Sequence, residues 1–285
     1  MFEHIILLLI QTFMLRTTFA ALLLALTLPA IAQNFSAIYQ PSDAEVRTVT
    51  KAGWEAFLSE NSSMTASGFR LTDLETFKEG GDARSFVGTF TKSPLEGIVE
   101  MAEGWTAFIK LKRQRVKDGF TMIDVAAVTL NESDVNFYGV WVKEDNPTIH
   151  KVWLLDSRKT IEKKTKDMAK ARFKIKRVHV IDVPNGEPSF VVLYHFTPID
   201  RFNFLYFSET LEDFQNEYNE RKGSRVELID FDRFRTGNSI RYVAIFQDGA
   251  FESSFLTDQP FGAIQAKSDS LAKNHGLKLV NLSVD

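Results

Sequence analysis

The sequence predicts an α+β repeat protein of five strand–strand–helix–strand modules, each about 52 residues long, closed into a propeller-like ring by pairing of its N- and C-terminal strands. Three observations predict it. A hexapeptide pattern returns five times. The segments between its copies repeat one order of elements. The fifth copy lacks the strand that should follow it, while the chain carries an unpartnered one near its start.

The hexapeptides are Asn34–Tyr39, Ser85–Phe90, Asn136–Trp141, Ser189–Tyr194 and Arg241–Phe246. Their leading aromatics stand at 35, 86, 137, 190 and 242, so the steps are 51, 51, 53 and 52 residues. Each hexapeptide is followed by a turn rich in Pro, Gly, Asn and Asp, then by a second short apolar stretch: Glu45–Ala52, Gly97–Glu103, Ile149–Asp156, Arg201–Glu209 and Phe251–Asp258. A helix-like segment comes next. Trp105, Phe108 and Val116, or Leu211, Phe214 and Tyr218, fall at helical intervals. Gly68, Gly119, Gly223 and Gly276 suit the left-handed residue that ends a helix, and Arg172 stands at that place in the third copy, where a different ending is expected. The closing strands are Phe69–Phe77, Phe120–Val128, Phe173–Val183, Ser224–Phe234 and Leu277–Asp285, each expected to form a hairpin with the next hexapeptide. In the fifth module that partner is missing, and Asn34–Tyr39 can supply it. Closure of this kind removes free sheet edges, and no polar capping repeat is present to protect an open array.

With these elements the chain resembles the bacterial tandem repeat domain family, best at Gly68-Phe69-Arg70-Leu71-Thr72-Asp73-Leu74. Similar arrays form the N-terminal half of secreted polyglycine hydrolases, in which a β-lactamase-like domain carries the catalysis. The resemblance spans nearly all of residues 34–285 and implies a repeat array. That catalytic half has no counterpart here, so the resemblance carries over no catalytic residues.

Residues 15–32 read as a secretory signal, with Arg16, an apolar run and Ala30-x-Ala32 before Gln33; the competing reading is an uncleaved membrane anchor that adds the apolar run Ile5–Ile10. Met14 is the expected start, cleavage is expected after Ala32, and the expected location is periplasmic or secreted. The domain reading is a signal at 1–32 and one repeat domain at 33–285, with modules at 33–84, 85–135, 136–188, 189–240 and 241–285. The chain has no Cys, so an exported form relies on packing rather than disulfides. Its 25 Phe are material for that packing.

The formal net charge of −3 gives no global attraction to nucleic acid. No stable membrane insertion is expected once the signal is removed. Charge is uneven along the chain. Lys151–Arg177 holds eleven basic and three acidic residues, a net of +8, and Asp200–Glu220 holds six acidic and one basic, a net of −5. The basic stretch reads either as a patch for an anionic partner or as a solvated helix face.

Chemistry is sparse. There is no His-Glu-x-x-His, no Gly-x-Ser-x-Gly and no phosphate-binding Gly-rich loop. No metal, cofactor or catalytic residue is assigned. His179 and His195 can face each other across the Asn185-Gly186 turn, with Asp182 nearby, as ligand-binding candidates. Phe202, Phe204 and Tyr206 alternate along one strand and, if exposed, make a stacking platform; if covered, they are core. Asp73 and Asp124 occupy equivalent positions, where Arg177, Leu228 and Asn281 stand in the other copies, so a five-fold carboxylate site is excluded and a structural role at a strand start is expected. The functional expectation is a non-catalytic exported binding or scaffolding module for a peptide, protein or cell-envelope glycan. The alternative is a secreted hydrolase related to polyglycine-hydrolase-like proteins, with a site built from positions that break the repeat.

Overall fold

The computed structural model describes residues 34–78, 84–130, 134–181, 187–199, 202–222, 224–249 and 253–284. The expected signal and the turns at Gly80-Gly81-Asp82, Asn131-Glu132 and Asn185-Gly186 lie outside these residues.

The first module holds β1 (Asn34–Pro41), β2 (Val46–Ala52), α1 (Trp54–Ala66) and β3 (Phe69–Lys78). The second holds β4 (Arg84–Lys92), β5 (Gly97–Glu103), α2 (Trp105–Lys117) and β6 (Phe120–Thr129). Then come β7 (Val135–Lys143), β8 (His150–Leu155), α3 (Arg158–Lys170) and β9 (Phe173–Ile181). The fourth module is β10 (Ser189–Phe196), β11 (Asn203–Ser208), α4 (Leu211–Lys222) and β12 (Val226–Thr236). The fifth is β13 (Ser239–Asp248), β14 (Ser254–Pro260), α5 (Phe261–His275) and β15 (Leu277–Val284).

Five antiparallel three-stranded sheets result, in the orders β2-β4-β3, β5-β7-β6, β8-β10-β9, β11-β13-β12 and β14-β1-β15. The sheet is therefore out of phase with the hexapeptide count. Each hexapeptide is the central strand between two strands of the preceding module, and the first two strands of a module lie in different sheets. A central strand is covered on both faces, which is why the hexapeptides are apolar throughout rather than alternating; β4 and β7 are buried over six consecutive residues. The fifth sheet takes its central strand from the start of the chain. Phe35 lies opposite Val284 and Gln259, as Ser85 lies opposite Phe77 and Ala52 in the first sheet.

The helices repeat one anchor. The fourth helical residue is fully buried in every copy: Phe57, Phe108, Ile161, Phe214 and Ile264. A second contact one or two turns later completes the stripe, at Met64, Met168, Tyr218 and Leu271. Gly53 and Gly104 precede α1 and α2 at φ 81° and 77° with ψ near 150°, a region open only to Gly. Gly68, Gly119 and Gly276 end helices with positive φ as expected.

The third module corrects the expectation of a different ending. Arg172 itself adopts φ 63°, and its carbonyl accepts from the Thr197 N–H, as the Gly68 carbonyl accepts from Ser93. In the fourth module Arg225, at φ 59°, takes this place and its carbonyl accepts from Gly249. The assignment to Gly223, which lies outside the described residues, is therefore displaced by two residues.

Apolar clusters fill the seams between successive sheets. Phe57, Leu71, Phe86 and Phe90 of the first sheet region pack with Val99, Tyr138 and Val140 of the second. Phe190, Val192 and Tyr194 pack with Ile229, Val243 and Ile245 at the seam of the third and fourth. The last strands of the modules lie against one another: β3 with β6, β6 with β9, β9 with β12, β12 with β15, and β15 with β3.

Candidate functional site

Every last strand carries a β-bulge at the same place, so that one extra residue interrupts its pairing with the central strand. Those residues are Thr72, Ile123, Lys176, Ile229 and Val280. A bulge re-aims the side chain that follows it. The following residues are Asp73, Asp124, Arg177, Asp230 and Asn281, and two positions further on come Glu75, Ala126, His179, Asp232 and Ser283. Asp230, not Leu228, is thus the fourth equivalent. The two-residue displacement at Arg225 is what hid it. These positions lie within the strands rather than at their starts.

Nine of these ten residues, all but Ala126, form two polar tiers along the line where the last strands meet. Their bonds run between modules. Asp124 Oδ2 accepts from the Leu74 N–H at 2.7 Å, and Asp73 Oδ2 from the Leu282 N–H at 2.9 Å. Asp230 Oδ2 accepts from Val178 N–H at 2.6 Å, and Asp232 Oδ2 from Val180 N–H at 2.7 Å. Arg177 Nε lies 3.3 Å from Asp124 Oδ1, while its Nη1 donates to the Ile229 carbonyl at 3.2 Å and sits 4.0 Å from Asp230. Asn281 Nδ2 donates to both Asp73 and Asp230. Ser283 Oγ donates to Asp232 at 3.1 Å. His179 Nε2 donates to the Ala127 carbonyl at 2.9 Å, and its Nδ1 faces Glu75 and Asp232 at 3.8 and 3.9 Å. Each pair of successive modules, and the fifth with the first, is bridged in this way.

Burial sets the electrostatics. It pushes Asp73 well above the usual carboxylate range, helped by Asp124 and opposed by Arg177 and the Leu282 N–H. Glu75 is raised by burial and then by Asp232. Burial raises Asp230 to about 7 against the pull of Arg177. Burial works against the charge on Arg177, but Asp230, Asp124 and Asp73 outweigh it and hold its guanidinium protonated. A carboxylate whose folded pKa is raised contributes stability that is full below the unfolded pKa and is lost as pH rises through the folded one. For Asp230 that window runs from 3.8 to about 7. His150 and His195, both lowered by burial to about 4, act in the opposite sense, losing stability as pH falls below 6.5. The Asp230 contribution is isolated by comparing wild type with Asp230→Asn in urea melts across this range. The stability difference should fall by about 1.4 kcal/mol per pH unit between pH 5 and 7 and level off above. A flat difference would show that Asp230 is ionised throughout.

The other candidates separate. His179 lies opposite Val191 and His195 opposite Lys174, so the two do not face each other across the hairpin. His179 points to the axial tiers, whereas His195 Nε2 donates to the Met122 carbonyl at 2.7 Å and its ring lies 6.1 Å from that of His150. Asp182 lies outside the described residues, and among those described no three His, Asp or Glu side chains are arranged to hold a metal ion. Phe204 is sandwiched, stacked on Phe246 at 5.3 Å with the Arg221 guanidinium 4.3 Å from its ring centroid. Tyr206 is half-buried and packs against the same core. Phe202, 48% exposed, is the one of the three that stands in water. The chain contains one Ser-x-x-Lys tetrapeptide, the spacing of the serine nucleophile and lysine in serine β-lactamases, at Ser270-Leu271-Ala272-Lys273. It lies in α5 with Ser270 and Lys273 exposed, on an open helix face rather than in a cleft.

The family model of the polyglycine hydrolase-like structural repeat matches residues 52–93, 110–144 and 206–249. Three stretches of the chain are therefore similar to the polyglycine hydrolase-like structural repeat. Each matched range contains all or the later part of a helix, the last strand and the next hexapeptide, so all three share the bulged hairpin that builds the polar tiers. The matched ranges fall on the first, second and fourth modules, where the residue after the bulge is Asp. No curated protein matches the chain in sequence comparison.

Proposed function

We propose that the five modules close into a ring and that the chain is exported as a non-catalytic scaffold presenting this ring to a peptide, protein or cell-envelope glycan. Closure is supported by β1 as the central strand of the fifth sheet and by the bonds of Asp73 to Leu282 and Asn281. The observation that carries the non-catalytic reading is the fate of the titratable groups. On the line where the last strands meet, Asp73, Asp124, Asp230 and Asp232 accept backbone N–H groups of neighbouring modules, and Glu75 faces His179. A general base needs a free lone pair within reach of a substrate proton, and a nucleophile needs such a base beside it. The four aspartates are engaged in holding strands together instead.

Export and inactivity are tested together. Expressed from Met14 in a Gram-negative host, the protein should be recovered from the periplasm beginning at Gln33. It should show no turnover of glycine-rich peptides and no adduct with serine-directed acylating probes by intact mass. Stoichiometric labelling of Ser270, or of any single serine, would overturn the scaffold reading in favour of the hydrolase. Retention of Met14 on a membrane-bound product would overturn the export reading.

A further inference from the structure

The end of each sheet at which the hexapeptide strand finishes forms one rim. Lys143, at the end of β7, lies opposite Phe120, where β6 begins directly after α2, and its neighbour Val142 lies opposite Gly97, where β5 begins. This rim therefore gathers the hexapeptide turns and the last turns of the helices. Five of the eight large apolar side chains exposed among the described residues stand on it: Leu95, Val116, Ile149, Ile199 and Phe202. All five belong to the second, third and fourth modules. The corresponding turn of the first module, Ser42-Asp43-Ala44-Glu45, is polar apart from Ala44.

The backbone holds two of these tips in place. The Ile149 carbonyl accepts from Phe196 N–H at 2.8 Å. The Phe202 N–H donates to Asp248 Oδ2 at 2.7 Å, and its carbonyl accepts from the Asp248 N–H at 2.8 Å. Ile149 and Phe202 are thus held by backbone bonds to the hexapeptide strands. Cations surround them. Lys92, Lys117, Lys143, Lys170 and Arg172 are exposed on the same rim. Three of the rim's acidic groups are engaged: Asp118 with Arg115, Glu96 with Lys143, and Glu144 with Thr121 and Thr148. Asp43, Asp145, Asp167 and Glu220 are exposed on it as well, and α4 carries four acidic and two basic residues, so the excess of cations lies on the second and third modules. Behind the rim, α2 carries five basic residues and no acidic one, and α3 six basic and two acidic. Lys112 is the sign of that crowding. Its ammonium is pushed down by burial and then by Arg113 and Lys151.

We propose that this rim docks the protein on an anionic lipid bilayer surface, with Ile149, Ile199 and Phe202 entering the interfacial region and the surrounding lysines and arginines meeting lipid phosphates. The chemistry separates this occupant from a protein partner. These three tips are single aliphatic or phenyl groups spread over the third and fourth modules, so a folded partner would need more than one pocket for them. A bilayer interface accepts each tip independently and supplies negative charge between them. The docking is peripheral. No described helix is long and apolar enough to cross a membrane. It goes beyond the scaffold reading and stands whether or not the ring also holds a soluble partner.

The test is flotation of the full chain with vesicles of phosphatidylcholine alone or of equimolar phosphatidylcholine and phosphatidylglycerol. Wild type is compared with the triple variant Ile149→Ser, Ile199→Ser and Phe202→Ser. These side chains are exposed, so the melting temperature should stay unchanged, and the comparison separates the rim from any contribution of residues 1–33. Wild type should float with the anionic vesicles only, and the triple variant should partition about ten-fold less. Absence of flotation with either vesicle would overturn the proposal. So would equal flotation of variant and wild type, or full displacement of wild type by a soluble anionic polymer. Either would assign the basic helices to a purely electrostatic partner.

Discussion

Replacing Arg177 with methionine is expected to destabilise the protein by about 3–5 kcal/mol, because it removes one partner of a buried charge network and leaves the others uncompensated. Arg177 is the cation that meets Asp124 and Asp230 where the last strands adjoin, and it also caps the Ile229 carbonyl. Methionine keeps the volume of the aliphatic stem, so the loss reports charge and hydrogen bonding rather than a cavity. In urea melts the midpoint should fall with little change in slope. The double variant Arg177→Met with Asp124→Asn should recover part of the loss, since the asparagine oxygen can still accept the Leu74 N–H without carrying a charge. A single-variant loss below about 1 kcal/mol, the range of exposed ion pairs, would show that water screens the axial groups.

The repeat was legible because its hexapeptide is a central strand. Full burial on both faces forces continuous apolar residues, and that requirement returned at every copy. The boundaries of the last strands were legible to within two or three residues for the same reason. The axial tiers were harder to see. Asp73 and Asp124 stood out as equivalents, but Asp230 was concealed because Arg225, a residue type that rarely takes positive φ, replaces the expected Gly. The bulges left no signature of their own, since Thr72, Ile123 and Lys176 are ordinary strand residues. The pairing of His179 with His195 failed on register: Val191, not His195, stands opposite His179. Phe204 was ambiguous in the sequence because alternation shows that a strand has two faces, not which one a neighbouring Arg221 will cover.

Deleting residues 33–40 is expected to be the most damaging change. The segment is the middle of the fifth sheet, so its loss strips both β14 and β15 of their partner. Phe35, Ala37, Ile38 and Tyr39 are buried. Burying each of the three large side chains among them is worth roughly 1.5–3 kcal/mol, against a total of about 5–15 kcal/mol for a domain. Polar ties go as well: Tyr39 Oη donates to the Ile264 carbonyl at 3.1 Å, and Gln40 Nε2 donates to the Leu228 carbonyl at 3.1 Å. The truncated protein should aggregate, or melt far below the full chain, through the exposed edges of β14 and β15. A circular permutant distinguishes loss of a strand from loss of an end. Phe35 lies opposite Val284, the arrangement that a short hairpin spans in the other four sheets. Joining 285 to 33 and opening the chain at Lys92-Ser93-Pro94 should therefore keep the same pairings and give a folded protein of comparable stability. A truncation as stable as the full chain, together with a permutant that cannot fold, would show that β1 contributes no closing strand and that the array is open.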